Sequence, residues 1–142
     1  MSSTVETADL MRYFEKDIFA RHVGIELLDA GDGQARARMP IREFHFNGVK
    51  TVHGGAIFTL ADLAFAAAAN SRGRVAVAIN CTISYVSSPV GDTIYAKAVE
   101  VSVNHKIASY NVEITDDSNK VIAVFLGTAY RKSQSTDLID QA

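Results

Sequence analysis

Residues 47–72, NGVKTVHGGAIFTLADLAFAAAANSR, decide the fold. The segment has a polar, glycine-marked entry, then a run built almost wholly from Ala, Leu, Phe and Ile and carrying one carboxylate, Asp62. A helix starting near Gly54 or Gly55 and ending near Ser71 would hold about 17 residues and form a rod about 25 Å long. It is apolar most of the way round, which indicates burial rather than a surface position. A lone acid on such a helix is costly to bury unless something uses it.

Working toward the N-terminus, residues 42–52 show little periodicity and contain Asn47-Gly48, which reads as loop. Before it, Gln34, Arg36 and Arg38 alternate with Ala35, Ala37 and Met39, a strand wet on one face and buried on the other. Residues 25–30, IELLDA, suggest its partner, with Gly31-Asp32-Gly33 as the turn of a hairpin. Residues 6–21 read as one helix with Leu10, Phe14, Ile18 and Phe19 on its apolar face, leaving at Gly24.

Working toward the C-terminus, VAVAINCTISYVSS is expected to put Val75, Val77, Ile79, Cys81, Ile83 and Tyr85 on one strand face. Three more alternating segments follow, TIYAKAVEVSVN, KIASYNVEIT and VIAVFLGTAYRK, with short links that signal an antiparallel meander. Residues 132–142 read as a frayed polar tail. The whole chain, 1–142, is expected to form a single α+β domain, an antiparallel sheet of about six strands around the central helix. A sheet covers only one side of that helix, so the other side should meet a second subunit.

Composition narrows the function classes. Lys+Arg 14 against Asp+Glu 16 gives a net charge of −2, which offers nucleic acid no basic field. Cys81 is the only cysteine, so there is no intrachain disulfide framework and no multi-Cys zinc site. His22 and His45 have no partners at metal-ligand spacing, so no metal is expected. The start MSSTVETADLMRYFEK lacks a signal pattern, and residues 54–69 are too few and too Ala-rich for a membrane span. A cytoplasmic protein is the expectation.

The chemistry gathers at the helix entry. First-turn N–H groups have no internal partner, glycine permits close approach, and the dipole favours negative charge, so Gly54 and Gly55 could hold an oxyanion. Gly54 and Asp62 are eight residues apart, about 12 Å along a helix, too far to serve one reacting carbon. In a two-fold dimer with antiparallel helices, Gly54 of one subunit could face Asp62 of the other. The plain alternatives stand beside this: Asp62 as a cap for a neighbouring loop, His53 as a helix-entry residue, Asn47 as a turn residue and the glycines as packing devices.

Asn47, then His53-Gly54-Gly55, then Leu60-Ala61-Asp62 resemble the motif of the hot-dog-fold acyl-CoA thioesterases, most closely the branch named for phenylacetic acid degradation. The likeness continues through Asn70-Ser71, VAVAINCTISYVSSP, Gly91-Asp92-Thr93 and Gly127-Thr128-Ala129-Tyr130, covering about residues 12–131. It implies hydrolysis of an acyl-CoA thioester, with coenzyme A as part of the substrate and no other cofactor. It implies that Gly54 donates its N–H to the thioester carbonyl and that Asp62 acts as base or nucleophile. Asn47 and His53 would orient water and thioester. The serine that some relatives carry on the next strand is Ala78 here.

Gly55, Lys106 and Arg72 are the expected substrate-binding residues, the two basic ones for the phosphates of coenzyme A. The resemblance also implies a homodimer or a dimer-of-dimers homotetramer. An aryl-acetyl or medium-sized acyl group is the expected substrate, with Phe46, Phe58, Phe65 and Tyr85 as candidate pocket walls. Two rivals are a non-catalytic acyl-CoA-binding protein and a hot-dog hydratase or dehydratase, the latter wanting a different placement of His and acid.

Overall fold

A computed structural model describes residues 7–136. Residues 1–6 and the end of the expected tail (137–142) lie outside the described residues.

The elements run α1 (Thr7–Phe14), α2 (Ile18–Val23), β1 (Glu26–Gly31), β2 (Gln34–Pro40), a 3-10 turn (Glu43–His45), α3 (Gly54–Asn70), β3 (Arg74–Tyr85), β4 (Thr93–Val103), β5 (Ile107–Asp116) and β6 (Val121–Ser135). The strands form a six-stranded antiparallel sheet in the order β1-β2-β4-β5-β6-β3. The sheet wraps α3, the hot-dog arrangement. Leu60, Ala61, Ala64, Phe65 and Ala68 are fully buried against it, opposite Ala37, Ala96, Ala98, Val112 and Ile114. Alanine on facing positions lets a helix and a curved sheet approach closely, and large side chains fill the remaining gaps. Phe65 packs on Tyr110 and Phe125, and a Cβ on Gly127 would lie 2.9 Å from the Phe65 ring. Glycine at 127 is what makes room for that ring.

The β1–β2 hairpin turns through Asp32 and Gly33, both at positive φ, as a tight two-residue connection requires. Ser71, one residue beyond α3, accepts the Gly33 N–H on its Oγ and donates to Ala68 O. Asn70 is buried; its amide accepts from Ala76 N and donates to Ala66 O and Ala76 O. These two side chains tie the end of α3 to the hairpin and to the start of β3.

Three expectations need correction. The first helix is two: Asp17 ends the run, its carboxylate capping α2 by accepting from Ala20 N. The break re-aims the second helix, so Ile18 and Phe19 are 78% and 64% exposed instead of facing the core. On β3 the simple alternation fails. Register shifts between Arg74 and Ala76 and between Ala78 and Asn80 leave Val77 and Ile79 exposed, while Cys81 and Ile83 pack against the core. The first part of the segment expected as a tail is ordered strand: Lys132–Ser135 continue β6, Ser135 pairs with Arg74, and Thr136 N donates to Gly73 O. No helix among the described residues is long and apolar enough to cross a membrane.

Candidate active site

The loop before α3 is organised by two side chains. His45 is buried, its Nδ1 accepting from Arg42 N and its Nε2 lying 2.6 Å from Val23 O, and its carbonyl accepts from His53 N. Asn47 accepts from Val49 N and Thr51 N through Oδ1 and donates to Thr51 Oγ1 through Nδ2. Both ends of the Asn47 amide thus bond within its own loop. With Lys50 at positive φ, this closes a tight turn that delivers His53 to the helix start.

His53 is the N-cap of α3. Its Nδ1 accepts from Gly55 N at 2.8 Å, which places the proton of the neutral ring on Nε2. Its carbonyl accepts from Ala56 N and Ile57 N. Three of the four N-terminal helix donors are therefore satisfied locally. The fourth, Gly54 N–H, has no partner among the described residues. Gly55 is a glycine whose N–H is already occupied; Gly54 is the one whose N–H is available.

Asn47 and Gly54 share a cleft of about 390 Å³, walled by Tyr85 and the Val86–Pro89 turn. Tyr85 Oη donates to Gly54 O at 2.9 Å. On the other side of the helix start, His53 and Gly55 border a second cleft of about 480 Å³ with Phe19, Phe44, Phe46 and Thr59. Of the aromatic residues expected to line a pocket, Phe46 borders this cleft and Tyr85 the first, whereas Phe65 is core and Phe58 packs on Phe125.

Asp62 borders neither cleft. It lies on the incompletely covered stripe of α3, half-buried like Thr59 and Ala66 and in line with the exposed Gly55. No hydrogen bond or ion pair holds its carboxylate among the described residues. Burial pushes its pKa above the usual carboxylate value, and the charge of Asp17 adds to the rise. The Cys81 thiol is raised in turn, by burial first and by Asp62 second, so β3 passes close to this carboxylate.

The basic candidates sit at the other end of α3. Arg72 forms a two-pronged pair with Glu100, Nε to Oε2 at 3.2 Å and Nη2 to Oε1 at 3.0 Å, and Tyr110 Oη also donates to Glu100. Its charge is thereby neutralised. Lys106 is exposed on the β4–β5 turn, which Asn104 closes by accepting from Lys106 N and Ile107 N. Arg131 and Arg74 are beside it: Arg131 N donates to Lys106 O, and Arg74 Nη2 donates to Arg131 O. Burial, then the charges of Arg74 and Arg72, lower the Arg131 pKa. Among the described residues, no group of three or more His, Cys, Asp or Glu side chains is placed to hold a metal.

One chain therefore brings Asn47 and Gly54 together, leaves Asp62 two turns along the helix, and puts Lys106 and Arg72 at the far end. The Tyr85–Gly54 contact escaped the sequence reading, since no local pattern links residues 31 positions apart. The cap at Asp17 had a signal, an Asp directly before an apolar run, that the longer periodicity obscured.

Residues 49–123 match the thioesterase superfamily. The acyl-coenzyme A thioesterase PaaI of Escherichia coli is 36% identical over 83% of this chain and 85% of its own length. A protein described as a putative esterase from Archaeoglobus fulgidus is 36% identical over 93% of this chain and 90% of its own. The solved structure of the E. coli PaaI protein, described as from the phenylacetic acid degradation operon, superposes with a TM-score of 0.84. It shares 32% identity and covers 92% of this chain and 99% of that one.

Proposed function

The chain belongs to the thioesterase superfamily, and from that premise we propose that it hydrolyses acyl-CoA thioesters in a site shared by two subunits. The carrying observation is the N–H of Gly54, unpartnered among the described residues and flanked by donors that His53 has already satisfied. A donor fixed in this way needs no reorganisation when charge develops on a thioester oxygen.

In the proposed reaction Asp62 takes a proton from water as the water oxygen attacks the thioester carbon. The carbonyl oxygen gathers negative charge against Gly54 N–H. The carbon–sulfur bond then breaks, and the departing thiolate recovers the proton from Asp62, giving free acid and coenzyme A. A carboxylate raised by burial is a stronger base than an exposed one, which suits this role. Direct attack by Asp62 would form an anhydride instead, with water entering in a second step. Asn47 shapes the loop that borders the Gly54 cleft, and His53 orders the donors beside it.

Gly54 and Asp62 are about 12 Å apart on one helix, so the two halves are proposed to come from different chains. Two features support a two-fold partner. The stripe Gly55, Thr59, Asp62 and Ala66 is small and incompletely covered. Strand β3 is a sheet edge with no charged residue between Val75 and Val86, which leaves it open to pairing with its own copy. Lys106, supported by Arg74 and Arg131, is proposed to meet the phosphates of coenzyme A; Arg72 is proposed to contribute there only if Glu100 releases it, since the pair takes up its charge. An aryl-acetyl acyl group is the first substrate to try, given the operon named for the E. coli relative.

Thiol release from a panel of acyl-CoAs, wild type against Asp62→Asn, tests this reading. Turnover should be lost while assembly and acyl-CoA binding persist. Unchanged turnover in the variant removes Asp62 from the mechanism, and binding without thiol release by the wild type favours a non-catalytic acyl-CoA-binding protein.

A further inference from the structure

Tyr85 has so far been only a wall of the cleft, yet its phenol bonds Gly54 O and its ring lies against the glycine. It closes β3, paired with Ala123 of β6. The chain just beyond it is anchored to β6 by Val86 N and Ser87 N donating to Ile122 O and by Ser87 Oγ donating to Val121 O. From this frame the phenol reaches Gly54 O at 2.9 Å, and the ring lies over the glycine so closely that a Cβ there would be 3.0 Å from Cζ. Burial raises the phenol pKa above its usual value, so the hydroxyl keeps its proton and donates throughout the neutral range.

We propose that Tyr85 is a positioning residue for thioester hydrolysis, holding Gly54 so that its N–H stays aimed at the thioester oxygen. The inference rests on the proposed role of Gly54. A glycine has wide φ/ψ freedom, and its N–H and C=O are the two ends of the same pair of rotations. Tethering the carbonyl to the sheet removes freedom that the missing Cβ would otherwise grant. The ring blocks the remaining side, so a residue that must be glycine for close approach does not lose its aim. The sheet thereby fixes the helix start at the point where charge would develop.

The test uses the full chain with acetyl-, hexanoyl-, dodecanoyl- and phenylacetyl-CoA, and S-phenethyl-coenzyme A, a thioether without the carbonyl, as the binding probe. Tyr85→Phe keeps the ring and removes the donor. It should lower kcat about tenfold, as loosened alignment does, with KM and thioether Kd within about twofold of wild type and with assembly and Tm retained. A merely structural role would move Tm or Kd without this split. A Tyr85→Phe kcat equal to wild type, while Asp62→Asn abolishes turnover, overturns the role of Tyr85 and leaves the thioesterase reading standing. A kcat loss matched by weaker thioether binding or by a changed assembly also overturns it. No thiol release by the wild type on any of the four substrates overturns both.

Discussion

Ser71 Oγ accepts the N–H of Gly33 at 2.8 Å, joining the end of the central helix to the first hairpin turn across 38 positions of sequence. Ser71 is fully buried, so water cannot replace the bond. Ser71→Ala should destabilise the fold by about 1–3 kcal/mol, the cost of stranding a buried donor. Urea denaturation should show a lower midpoint with an unchanged slope, and the relation of kcat to KM should be preserved.

Asp116 is the equivalent device at the opposite end of the sheet. Its carboxylate accepts from Val90 N, Ser118 N, Ser118 Oγ and Lys120 N, and these bonds hold its pKa well below the usual carboxylate range, Ser118 Oγ contributing most. The folded pKa lies below the unfolded one, so the stabilisation is complete above the unfolded value and disappears as pH falls through the folded value. Asp116→Ala should therefore lower Tm at pH 7, and the difference from wild type should narrow as the scan is repeated at progressively more acid pH.

Asp62 carries the opposite sign. Its pKa is raised, chiefly by burial and then by Asp17, so its charged form costs stability once pH exceeds the unfolded value. Asp62→Asn should raise Tm at pH 7–8 and lose that advantage as pH falls through the raised pKa. In the same pH range wild-type kcat should fall, because the proposed base becomes protonated. A variant more stable yet inactive would be the signature of a strained functional group.

Exchange between subunits tests the sharing of the site. Asp62→Asn and Asn47→Ala chains are each expected to be inactive alone. A mixed dimer should regain one competent site, built from Asp62 of the second chain and Asn47 of the first. Thiol release should appear only after exchange, approaching about a quarter of the wild-type rate at random pairing. Silence after exchange proven by mass would place both residues in one chain's half.

Much of the candidate site was legible along the chain. Gly54 at a helix start and Asp62 on the same helix follow from an apolar run with a glycine entry, since helix geometry fixes their separation whatever surrounds them. The corrected parts share another property. The register shifts of β3 depend on how β6 lies beside it, and a shift in pairing reverses which side chains face inward without leaving a mark in local periodicity. The partner of Arg72, expected at the phosphates of coenzyme A, was equally invisible locally, since Glu100 lies 28 positions away.

By itself the sequence determined the buried central helix, its lone acid and glycine entry, the hairpin turning within Gly31-Asp32-Gly33 and the closing meander of three strands. Each is written in residues within a turn or two of one another, where backbone sterics and burial periodicity act. Tertiary structure alone decided which helix-start donor stays free, that Tyr85 holds Gly54, and that Asp62 lies on the incompletely covered stripe of α3. Those outcomes depend on distant groups competing for the same hydrogen bonds and the same space, and only the folded chain sets the terms of that competition.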